Sequence, residues 1–174
     1  MLVVRRDSGK LEHAHVRDLP DLLHPDDLLV RNNTAVLAAR LVGRRAIEGN
    51  RGGGRVEGLY LESFGSDWLV LLTQSGKLQI GEQLHLEGPG SEQVVIRILE
   101  RRGKGWLVRP EDAAPAEALL HAVGRTPLPP YILRARDARG ETLADELDRA
   151  WYRTRFADPT RCGSVAAPTA GLHF

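Results

Sequence analysis

Three groups of residues in this sequence have types suited to chemistry on a polar ligand. Asn33 and Thr34 can orient hydroxyl or amide groups, and Arg40 can hold a carboxylate or phosphate through its forked guanidinium. Tyr131 adds a phenol. The last run, Pro168, Thr169, Ala170, Gly171, Leu172 and His173, mixes small, apolar and polar residues with almost no charge. Surface tails tend to be charged and low in hydrophobicity, so this run reads as a loop shaped around a ligand; a small-residue turn closing the last element would have the same composition. His173 can move a proton near neutral pH, or cap the loop as a structural histidine. No nucleophile triad is recognisable, and the set calls for no metal.

Other features carry less. Gly52, Gly53 and Gly54 are not followed by Lys-Ser or Lys-Thr, and a strand-like run comes next, so they read as a hairpin turn rather than a phosphate loop. His13 and His15 are two apart on a strand-like run with no third ligand in sight, and read as exposed histidines. Glu141, Asp145 and Asp148 line one helix face with Arg149 four residues after Asp145, which reads as a solvated face with an ion pair. The basic residues are almost all arginine, which suits bidentate phosphate contacts, as does a genome rich in arginine codons. Arg44, Arg45, Arg51 and Arg55 form a basic cluster near the start of the expected barrel.

The elements that must position these residues change character along the chain. Residues 2–6 and 11–16 predict a hairpin, residues 19–23 a short helical turn, and residues 28–30 a strand leading into the polar Asn32-Asn33-Thr34. Six strands are expected at 36–41, 55–62, 68–73, 83–87, 94–101 and 105–108, separated by Gly-rich or polar turns. That spacing argues a small closed barrel, which leaves no sheet edge exposed. Helices follow at 113–123 and 141–155, the second with Leu143, Leu147 and Trp151 on one face. The fold class is α+β or α/β: a small β-barrel at 42–112 inserted into an α/β domain whose parts lie at 1–41 and 113–174, the second part incomplete at its C-terminal end.

The 174 residues are 42% hydrophobic, enough for a core, and carry a formal net charge of +1, so no global excess of positive charge announces nucleic acid. Cys162 is the single cysteine, which excludes an intrachain disulfide and a cysteine metal cluster. No apolar run approaches the roughly 20 residues of a membrane span, and the first residues lack the order of a signal peptide, so a cytoplasmic protein is expected.

Four ordered segments share a resemblance. Residues 164–174, the Pro-rich Thr126-Pro127-Leu128-Pro129-Pro130-Tyr131-Ile132, the stretch holding Tyr152, Thr154, Phe156 and Ala157, and residues 27–41 are similar to the signatures of the S-adenosylmethionine:tRNA ribosyltransferase-isomerases of queuosine biosynthesis. The resemblance implies a β-barrel inserted into an α/β domain. It also implies transfer and isomerisation of the ribosyl group of S-adenosylmethionine to the aminomethyl-deazaguanine base of tRNA, giving epoxyqueuosine with release of adenine and methionine. S-adenosylmethionine is then a cosubstrate, and no bound cofactor is expected. Its sulfonium acidifies the adjacent ribose carbon, so a base can take that proton, adenine can leave, and the amine of the tRNA base can capture the opened sugar.

On that scheme His173 is the candidate base or acid, and Arg40 holds the methionine carboxylate or a phosphate. Asn33 and Thr34 meet the ribose or base edge, and Tyr131 is a further substrate-binding candidate. The backbone of Pro168, Thr169, Ala170 and Gly171 lines the nucleoside. Arg44, Arg45, Arg51 and Arg55 face the anticodon arm. Three positions depart from the family pattern, which has Asp at Asn33, Arg at Ala35 and Pro at Ala38; a broken Asp/Arg pair in a dry site costs on the order of 3–5 kcal/mol, whereas loss of both members together is nearly neutral for folding. The resemblance covers about half of a family member, implying a natural short paralogue or a fragment, and exposed apolar surface through which a homodimer could form. The alternative function is a non-catalytic tRNA-binding relic of the same family.

Overall fold

The computed structural model describes residues 1–47, 53–74, 76–141 and 144–174. Arg51, Gly52 and Leu143 lie outside the described residues. Strands β1 (Leu2–Val4) and β2 (Leu11–His13) form the expected antiparallel hairpin, followed by a 3₁₀ turn at Val16–Leu22. His13 and His15 are exposed, and His15 donates its backbone N–H to the Asp18 carboxylate at 2.7 Å.

The barrel closes from six antiparallel strands: β4 (Arg40–Arg45), β5 (Arg55–Phe64), β6 (Asp67–Gln74), β7 (Gln83–Glu87), β8 (Gln93–Arg102) and β9 (Gly105–Pro110), in the order β4-β5-β6-β9-β8-β7. The period-2 pattern points one face inward: Leu41, Val56, Trp68, Val70, Leu84, Leu86, Ile96, Ile98 and Val108 are all essentially removed from solvent. Bulges between Tyr60 and Glu62 and between Ile98 and Glu100 bend the two longest strands around the closure. Arg109 holds Asp67 by a bidentate pair at 2.6 and 2.9 Å, joining β9 to the start of β6. These hydrogen bonds hold the Asp67 carboxyl below the usual carboxylate range. A depressed folded pKa stabilises above the unfolded value and is lost as pH falls through the folded one. Acid titration of thermal stability should therefore show a loss below about pH 4 that Asp67→Asn removes.

Outside the barrel stand β3 (Thr34–Val36), α1 (Ala116–Val123), α2 (Pro130–Arg139), α3 (Asp145–Trp151) and β10 (Asp158–Ser164), with a final 3₁₀ turn at Thr169–His173. The chain enters and leaves the barrel side by side: the Arg40 and Arg125 backbones exchange hydrogen bonds of 3.0 and 2.7 Å. Leu119, Leu120 and Val123 of α1 belong to the barrel's core. A second, smaller core holds Leu128, Tyr152 and Ala167, with Val36, Ile132, Leu133 and Leu172 against it. No helix among the described residues is long and apolar enough to cross a membrane.

Several expectations change. Residues 28–30 are not a strand; they are exposed, and β10 instead pairs in parallel with β3. A three-residue apolar run has too little periodicity to reveal whether it has a partner. The expected strand at 36–41 is divided, because Leu37 donates to Ser164, Ala39 to Leu37, and Tyr60 to Ala39, so the backbone changes partners at 37–39. Helix 141–155 contracts to α3, and its face is inverted: Leu147 and Trp151 are exposed while Asp148 is 7% exposed. Helix α2, read only as a Pro-rich segment, starts with Pro130 at its first position and ends at Gly140, whose φ of 64° makes the left-handed cap.

Candidate functional site

The four similar segments, far apart in the chain, meet on one side of the barrel. Val36 comes from the first, Leu128 and Ile132 from the second, Tyr152 from the third, and Ala167 and Leu172 from the last; all share the second core. A further contact ties their ends: the Arg31 guanidinium lies 4.5 Å over the Phe156 ring, which meets Phe174 edge-on at 5.2 Å. Beside this core a cleft of about 840 Å³ separates the barrel from the outer elements. One wall is barrel surface, with Gly58, Leu59, Leu71 and Thr73; the other is Pro127 to Pro130, Leu133, Tyr152, Val165 and Ala166. An apolar cleft of this size with few polar groups suits a small organic ligand.

Charge is concentrated at its mouth. Arg40 meets Glu57 at 3.0 Å and Arg55 meets the same carboxylate at 2.8 Å. Two guanidiniums on one carboxylate leave one positive charge uncompensated, which favours an anionic group there. Glu57 was not foreseen, because nothing in a Val-Glu-Gly strand marks its carboxylate as shared. Arg40 also lines an adjoining polar cleft of about 820 Å³ against α2 and α3.

The walls of that second cleft are clamped by charge. Arg136 grips Asp148 through two bonds of 2.7 and 2.6 Å, and Arg149 bonds Asp145 at 2.5 Å and the Gly124 carbonyl at 2.8 Å. The hydrogen bonds that Arg136 donates to the Asp148 carboxylate push the Arg136 pKa further up. The ion pair expected from Asp145 and Arg149 is present; the solvated face is not, since Asp148 is buried against α2. Asp148→Ala would strand a guanidinium that is only 18% exposed. A loss of about 2–3 kcal/mol is expected by urea denaturation, the low end for a buried pair because some solvent reaches it.

The other candidate residues are placed as follows. Thr34 directs both its N–H and its hydroxyl to the Asn32 side-chain oxygen, at 2.8 and 2.6 Å, while the exposed Asn33 accepts the Asp158 N–H through its carbonyl at 2.8 Å. Hydrogen bonds from Thr160 hold the Asp158 carboxyl below its usual range, with Arg161 adding to the effect. Tyr131 is exposed on the first turn of α2, outside the cleft walls. Pro168, Thr169, Ala170 and Gly171 form the final 3₁₀ turn, closed by the Gly171 N–H on the Pro168 carbonyl at 2.8 Å. A Cβ at Gly171 would lie 3.0 Å from the Thr154 methyl, so the turn sits hard against the third segment. His173 is exposed and outside the cleft walls, one residue beyond Leu172 of the second core. Arg44 pairs with Glu87 at 3.6 Å, and Arg45 is held by Glu82 and the Lys77 carbonyl. Ala35 and Ala38 line a third cavity of about 420 Å³ with His121 and Cys162.

All of residues 1–174 match the model of one family, described as queuosine biosynthesis protein. The chain belongs to that family. Among its curated relatives, the S-adenosylmethionine:tRNA ribosyltransferase-isomerase of Xylella fastidiosa (strain M12) is 41% identical over 175 residues, covering all of this chain and 45% of the relative. Proteins of the same name from Gloeobacter violaceus and Pelobacter propionicus are 42% and 38% identical, again over all of this chain and over 44% and 46% of theirs. This member of the queuosine biosynthesis family thus spans less than half the length of those relatives. No solved structure matches it.

Proposed function

We propose that this chain contributes to a site that transfers and isomerises the ribosyl group of S-adenosylmethionine onto the aminomethyl-deazaguanine base of tRNA, yielding epoxyqueuosine, adenine and methionine. The observation that supports this reading most is the convergence of four separated segments on one core and one cleft with a cationic mouth. In this reading the apolar walls take the nucleoside. Arg40 exchanges part of its bond to Glu57 for the methionine carboxylate or a phosphate. The Thr169–His173 turn, braced on Thr154, presents its backbone to the sugar, with Asn33, Thr34 and Tyr131 at the periphery. His173 moves the proton taken from the ribose carbon beside the sulfonium. The cosubstrate carries the difficult chemistry, and the protein supplies orientation, charge and proton transfer.

The test is adenine release from labelled S-adenosylmethionine with tRNA that carries the aminomethyl-deazaguanine base. Release that requires this tRNA supports the reading. Salt-dependent tRNA binding without release assigns the chain to the non-catalytic reading instead, which the three departures at Asn33, Ala35 and Ala38 favour.

A further inference from the structure

The described arginines of the barrel strands divide into two kinds. Arg40, Arg44, Arg45, Arg55, Arg97 and Arg109 each face a carboxylate. At the β8–β9 hairpin tip the partners are aromatic instead. Arg102 lies 4.6 Å over the Phe64 ring, and Arg101 lies 5.2 Å over Trp106. Lys104 stands beside them, exposed. Even with Glu100 next in sequence, the tip keeps an excess of two positive charges.

We infer that this tip, Arg101, Arg102 and Lys104 with the exposed ring of Phe64, is a contact surface for a single-stranded stretch of RNA. The inference rests on the tRNA reading above and names where the barrel meets that partner. A guanidinium laid on a ring keeps its N–H edge free for phosphate, and the ring limits its rotamers in advance. An ion-paired arginine must first give up its carboxylate. Phe64 is 43% exposed, so it has little core to support and offers a face on which a base can stack. Both hairpin turns are built to project: Gly65 and Gly103 take φ of 61° and 59°, and nothing lies within 4 Å of where a Cβ would stand.

The placement is consistent with the cleft. Arg101 pairs with Trp106, and Trp106 with Val70, the chain neighbour of the cleft residue Leu71. Two strand spacings thus put Arg101 about 10 Å around the barrel from Val70. A nucleotide held in the cleft would carry its flanking phosphates within reach of the tip.

The test measures the affinity of the whole chain for an unmodified tRNA transcript across a salt series. Replacing Arg101, Arg102 and Lys104 together by Ala is expected to weaken binding at least tenfold at low salt and to flatten the salt slope by about 2. Phe64→Leu is expected to weaken binding about fivefold or more with the slope unchanged, since stacking releases no counterions. Replacing Arg5, Arg6 and Arg17 by Ala removes the same charge elsewhere and controls for it; unchanged thermal midpoints control for folding. Equal losses in the tip and control variants, or none in the tip variant, would overturn the tip while leaving the tRNA reading standing. A wild-type chain with no affinity for tRNA would overturn both. Equal affinity for poly-glutamate would assign the tip to an acidic protein instead and overturn the RNA assignment.

Discussion

Gly124→Ala should cost on the order of 4 kcal/mol or more and lower the melting midpoint by roughly 8–16 °C. Gly124 has ordinary backbone angles, φ −75° and ψ 154°, so conformational freedom is not the reason. The reason is close approach: a Cβ there would lie 1.8 Å from the Ala38 carbonyl oxygen and 2.4 Å from that of Leu120. Both obstacles are backbone, so no side chain can rotate away. Relief requires α1 to separate from residues 37–39, where the chain turns into the barrel. That movement strains the paired Arg40 and Arg125 hydrogen bonds and the Arg149 bond to the Gly124 carbonyl. Three hydrogen bonds at about 1 kcal/mol each, with lost packing of Leu120 and Val123, reach the stated magnitude. Thermal and urea unfolding measure it directly, and a loss under about 1 kcal/mol would mean that the seam between barrel and outer elements is loose.

In the proposed reaction, His173→Ala should do the reverse, lowering adenine release by about 10²–10⁴-fold, the usual contribution of a positioned acid or base, with no effect on folding. The side chain is exposed, and the adjacent Leu172 anchors the turn on the second core. Stability within about 0.5 kcal/mol of wild type is therefore expected. Single-turnover adenine release over a pH series separates proton transfer from binding. An unchanged rate would pass the proton to a different group and leave His173 as the end of a structural turn.

The barrel was legible because its signal is local. Alternating apolar residues separated by turns predict strands wherever they occur, and six such runs without helical spacing leave few architectures. The ion pair of Asp145 and Arg149 was legible for the same reason, being one turn apart on a helix. Where the sequence reading missed, the deciding partner was distant. Residues 28–30 look like a strand, but parallel pairing with β10 selects residues 34–36. Leu147 and Trp151 look like a buried stripe, but Arg136 draws the opposite face of α3 inward through Asp148.

The candidate site divides along the same line. Residue types and four similar segments identified the family, the barrel, and Arg40 as a cation worth following. That Glu57 is shared by Arg40 and Arg55, that Arg44 and Arg45 already hold carboxylates, and that Arg101 and Arg102 lie on aromatic rings depended on strand register and barrel closure. Alternation and residue type are properties of neighbours along the chain, whereas charge pairing is a property of neighbours in space. The sequence therefore determined which elements form, and only the tertiary structure decided which charges are spent on each other and which remain for a ligand.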